Sequence, residues 1–122
     1  MDLKGELIAE EGSFLLELRT GISWNHNSFI NLLKEAHKEY QNTKNDSELN
    51  REIAEGIWYI SHFIKEWSSH ENFPKVHSNE YYSKAYDLIH DIAYEYFMGE
   101  SVYTSEKIII EKIEELNTLT KQ

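Results

Sequence analysis

The sequence predicts an all-α protein, a bundle of four to five helices, on three observations. Apolar residues recur at three- and four-residue spacing through most of the chain, Ser, Asn and Asp residues stand where those runs begin, and the single proline, Pro74, lies in a polar stretch between two runs. With 122 residues and 40% hydrophobic content, residues 1–122 are expected to form one domain, large enough to bury about two-thirds of its unfolded surface in one core.

Gly5, Gly12 and Gly21 divide residues 1–22 into pieces too short for periodicity to decide. Ser13 can cap a helix that Gly21 ends. Alternatively Phe14, Leu16 and Leu18 alternate with Leu15, Glu17 and Arg19 behind a Glu-Glu-Gly turn, the pattern of a short N-terminal hairpin. Helix is preferred, because a lone hairpin is marginal unless it packs on the bundle. Phe29, Leu33, Ala36 and Tyr40 then form a helical seam behind Asn27 or Ser28 as cap, and the polar run from Gln41 to Asp46 reads as a loop.

Leu49, Ile53, Ile57, Ile60, Ile64 and Trp67 share one helical face, with Asp46 or Ser47 as N-cap. After a loop over 69–79, Tyr82, Ala85, Tyr86, Ile89, Ala93 and Tyr96 predict a helix near 79–98, capped by Ser78 or Asn79 and ended by Gly99 in a left-handed conformation. Thr104 or Ser105 opens a last helix carrying Ile109, Ile113 and Leu116. The Ile108-Ile109-Ile110 triplet also suits a strand, but the Glu and Lys residues after it at helical spacing favour helix. The expected core includes Ile53, Ile57, Ile60, Ile64, Ile89, Ala93 and Ile113.

Several function classes lack their chemistry here. The chain has no uncharged apolar run of about 18 residues, so no membrane span is expected. Its start, Met-Asp-Leu-Lys-Gly-Glu, carries acids where a signal peptide carries bases and an apolar run, so a cytoplasmic location is expected. Zero cysteines remove disulfides, thiolate metal sites and a cysteine nucleophile. No glycine-rich phosphate loop, nucleophile elbow or cofactor fingerprint is present, so neither an enzyme nor a cofactor is expected.

Six histidines, at 26, 37, 62, 70, 77 and 90, raise the question of metal. Di-iron bundles use Glu-x-x-His, which this chain lacks, and the nearest arrangements are Asp87-x-x-His90 and Glu66 with His70. No His-x-x-x-His pair accompanies them, so no metal site is expected. Arg19 and His26, six residues intervening, fit a loose spacing found in some helical ribonucleases. Gly21 and the turn-prone Asn25-His26-Asn27 interrupt that spacing, and an acidic chain repels a polyanionic substrate.

Charge is the most informative feature. Twelve bases against 22 acids leave −10, a field that repels nucleic acid and anionic lipid and attracts basic surfaces. Residues 71–104 hold 6 acids and 2 bases, and between Lys84 and Lys107 no base occurs. There Asp87, Asp91 and Glu95 are successive i, i+4 neighbours, whose repulsion weakens a helix unless a positive partner offsets it. Five of the eight tyrosines lie between 81 and 96. One helical face cannot bury all five. Tyr82, Tyr86 and Tyr96 suit the core, whereas Tyr81 and Tyr94 fall nearer the acids, where an aromatic makes a good interface anchor. Tyr81, Asp87, Asp91, Tyr94, Glu95 and Glu100 are therefore the expected partner-binding residues.

With Tyr86-Asp87, Asp91, Tyr94-Glu95 and Tyr96 interleaved on one helix of a small acidic chain, the sequence resembles the immunity proteins of bacterial toxins, of the nuclease-colicin and contact-dependent growth inhibition kinds. The runs Gly56 to Phe63 and Trp67 to Pro74 are also similar to bacterial proteins encoded beside toxins. The resemblance implies a cytoplasmic inhibitor whose acids and aromatics cover a basic toxin domain. The aromatic load supports an alternative, a self-associating structural or regulatory bundle, and a small metal-binding enzyme is a third reading. The oligomeric state stays open at this level.

Overall fold

A computed structural model describes residues 1–102 and 104–120, and among them every regular element is an α-helix. In chain order these are α1 (Leu3–Leu7), α2 (Phe14–Thr20), α3 (His26–Thr43), α4 (Arg51–Ser68), α5 (Asn79–Met98) and α6 (Glu106–Leu119). Helix α5 is central, packing against α3, α4 and α6, while the short α1 and α2 close the bundle against α3 and α4. The expectation of an all-helical bundle holds: α2 is the helix preferred between Ser13 and Gly21, and α1 is a sixth, beyond the four to five expected.

Helix starts follow from side chains that satisfy otherwise unpaired early amides. Asp2, Ser13, Asn25, Asn50 and Ser78 each accept from the amide three residues on, at 2.9–3.2 Å. Ser13 and Ser78 match the sequence reading. The caps of α3 and α4 do not: Asn25 replaces Asn27 or Ser28, and Asn50 replaces Asp46 or Ser47. The late start of α4 leaves Leu49 outside the helix and 44% exposed. Helix α3 also continues through Gln41, Asn42 and Thr43, where Thr43 Oγ1 donates to the Glu39 carbonyl at 2.8 Å. Polarity alone made that stretch look like a loop.

The N-terminal hairpin does not form. Phe14, Leu15 and Leu18 are all buried, a helical set rather than an alternating one. Gly21 ends α2 through its amide on the Glu17 carbonyl, but the left-handed residue is Ile22, at φ 47°. Gly99 does adopt positive φ, at 93°, where a side chain would be strained. Of the expected core, Ile57, Ile60, Ile64, Ile89, Ala93 and Ile113 are buried, and Ile53 is half-buried at the edge. Trp24 joins them, its ring 4.8 Å from both Phe14 and Phe29 and 5.2 Å from Tyr82.

Candidate functional site

The residues between 81 and 100 divide between two environments because α5 has neighbours on three sides. Beyond its first residue, Asn79, only a stripe about one residue wide stays exposed: Glu80, Ser83, Asp87, His90, Tyr94, Phe97 and Met98. Asp87, Tyr94 and Glu100 of the expected binding set are exposed, and Asp91 is half-buried.

Tyr81 and Glu95 are corrections. Tyr81 is fully buried. Its hydroxyl accepts from Trp24 Nε1 at 2.8 Å and lies 2.7 Å from His26 Nδ1, while His77 covers the ring at 4.1 Å. Asn117 Oδ1 can only accept, so His26 Nε2–H donates to it at 2.7 Å, and in that neutral tautomer Nδ1 is the acceptor of the Tyr81 hydroxyl proton. This chain of bonds ties α5 to the start of α3 and to α6. Burial pushes the Tyr81 phenol far up and the His77 imidazole down.

Glu95 is likewise inaccessible. Its Oε1 meets His37 Nδ1 at 2.7 Å, and its Oε2 is buried without a hydrogen bond among the described residues. The hydrogen bond to Glu95 raises the His37 pKa, outweighing burial, and the charges of Glu95, Glu106 and Glu100 add to the rise. His37 also lines a groove of about 420 Å³ between α3 and α6, with Lys34, Ile109, Ile110, Ile113, Glu114 and Asn117.

The base-free stretch is not base-free in space. Lys112 on α6 pairs with Asp91, and Lys84 pairs with Glu115 and lies 4.0 Å from Glu80. The expected row of three mutually repelling acids therefore reduces to Asp87 as the one acid without an ion pair among the described residues. What sequence reasoning missed on this helix is apolar. Phe97 and Met98, 39% and 70% exposed, follow Tyr94 at three and four residues, so periodicity from Tyr94 could have found them.

Helix α4 carries a second exposed aromatic face. Trp58 stacks on His62 at 4.1 Å, and Tyr59, Phe63 and Trp67 form a ladder with ring centroids 4.9 and 5.5 Å apart. Grooves of about 390 Å³ and 300 Å³ flank its two ends, the second bringing Glu66 and His70 beside Trp67. Arg19 is exposed and His26 is held by Tyr81 and Asn117. Among the described residues, no three His, Asp or Glu side chains gather as metal ligands, and no helix is long and apolar enough to cross a membrane. Compared with protein-family models, curated proteins and solved structures, the chain matches none.

Proposed function

We propose that the chain is an immunity protein, which acts in the bacterial cytoplasm by binding a basic antibacterial toxin domain, of the nuclease-colicin or contact-dependent growth inhibition kind, and does so without catalysis. The observation that carries the reading is the outer stripe of α5, where Tyr94, Phe97 and Met98 are exposed between Asp87 and Glu100 on a chain of net charge −10. Exposed aromatic and Met side chains supply apolar area for a desolvated contact, and acids at its rim steer a basic partner toward it. Tyr81 and Glu95 have no part in this contact, and Asp91 contributes only if its pair with Lys112 is exchanged for a partner's cation.

The test uses the product of the gene adjacent to this one, expressed with and without the chain. Co-expression is expected to restore growth. Asp87→Asn with Glu100→Gln is expected to slow association about tenfold at low salt and to flatten its salt dependence. Tyr94→Ala is expected to speed dissociation instead. Failure of the parent chain to bind or protect, or full protection by the combined triple variant, overturns the reading.

A further inference from the structure

The outer stripe of α4 has an order that a second copy of this chain fits. Arg51, Glu55, Trp58, His62, Lys65 and Ser69 are all exposed, while Ile57, Ile60 and Ile64 face inward. Their spacing of four, three, four, three and four is that of a and d positions, by which one helix presents a seam to another. The stripe holds two bases to one acid, on a chain where acids outnumber bases by 22 to 12. A second acidic copy meets less repulsion there than on an acid-rich face.

We infer that two copies of the chain dimerise through α4, antiparallel, about a two-fold axis crossing the helix at the level of Ile60. In that register Glu55 faces the second copy's Lys65, Trp58 faces its His62, and Arg51 faces its Ser69. Each pairing is an a-to-d layer, the matching an antiparallel helix pair makes. Because the contact is isologous, every favourable pair occurs twice. Trp58, 58% exposed and stacked on His62, supplies the apolar centre, and Lys65 has no ion pair within its own chain among the described residues. Among the same residues Glu55 pairs only with the solvent-exposed Arg51, at 3.3 Å, a contact it can release. The parallel arrangement would set Glu55 against Glu55 and Lys65 against Lys65, so charge selects the antiparallel one.

Sedimentation equilibrium of the full chain, from low micromolar to near-millimolar concentration, is the test. The parent is expected to show a monomer–dimer equilibrium. Glu55→Lys and Lys65→Glu alone are each expected to raise the dimer dissociation constant at least about tenfold, since each places two like-charge pairs in the contact. The double variant, and an equimolar mixture of the two single variants, restore opposite charges and are expected to recover the parent's dimerisation. Both substituted positions are exposed, and unchanged circular dichroism and melting confirm that folding is intact. A parent that stays monomeric at every concentration overturns the inference and leaves Trp58 to a heterologous partner. A parent dimer that ignores the single reversals, or singles that fail to rescue each other, overturns it as well.

Discussion

Two tyrosines thirteen residues apart on one helix have opposite roles. Tyr81 fastens three elements through its hydroxyl, whereas Tyr94 leaves its ring in solvent. Tyr81→Phe strands Trp24 Nε1 and His26 Nδ1, and an interior polar group left without its partner costs about 1–3 kcal/mol. Tyr94→Phe is expected to cost less than about 0.5 kcal/mol, as at an ordinary surface position. Denaturant unfolding of both variants checks this, and equal stabilities would show that the Tyr81 hydroxyl anchors nothing. Sequence could not separate Tyr81 from Tyr82. Adjacent positions point about 100° apart on a helix, and the one pointing away from a presumed single core face is read as exposed. On α5 that presumption fails, because the segment carrying Trp24 and His26 crosses over Tyr81. The same cause hid Glu95, which periodicity placed on the polar side and which α3 covers with His37.

At the scale of the element, the amphipathic rule works best where a helix keeps a continuous outer face in solvent, as α4 does along Arg51, Glu55, Trp58, His62 and Lys65. On α4 the spacing from Ile57 to Ile64 identified the buried face, and the prediction there is direct. Ile57 is fully buried, so Ile57→Ala is expected to cost about 2–5 kcal/mol through lost transfer energy and the cavity left behind. Half-buried Ile53, replaced in the same way, is expected to cost clearly less. Equal costs in thermal unfolding would show that the edge of this face has been misjudged. Starts and ends were less legible than faces. Several capable caps stood within a few residues of each other at 25–28 and 46–50, and which one is used depends on where the packed face begins. Of the candidate site, Asp87, Tyr94 and Glu100 could be read from composition and spacing. The neutralisation of Asp91 by Lys112 could not, since it joins residues on two helices whose mutual register no local pattern sets.

For the whole molecule, pH couples burial to stability in a direction the shifts determine. His37 has a raised pKa in the folded chain, first through its hydrogen bond to Glu95, so the fold binds its proton more tightly than the unfolded chain does. Its contribution is complete below the unfolded value of 6.5 and is lost as pH rises through the higher folded value. Glu6, pushed up by burial, acts with the same sign at lower pH: its contribution grows as pH falls through its folded value toward 4.5. Protonation of surface acids also relieves the self-repulsion of a chain carrying −10. His77, lowered by burial, opposes these, since its contribution is present above 6.5 and is lost as pH falls through its folded value. Above pH 6.5 His37 is therefore the shifted histidine that gains its proton, and the melting temperature is expected to rise as a mildly alkaline solution is acidified toward 6.5. Each kcal/mol gained would appear as roughly 4 °C for a chain of this size. His37→Gln is expected to flatten that limb, and His77→Gln to leave it in place while strengthening stability further below it. A melting temperature that falls as the parent is acidified toward pH 6.5, or a limb that survives His37→Gln, would show that the His37–Glu95 pair does not hold α3 to α5 in the way its geometry requires.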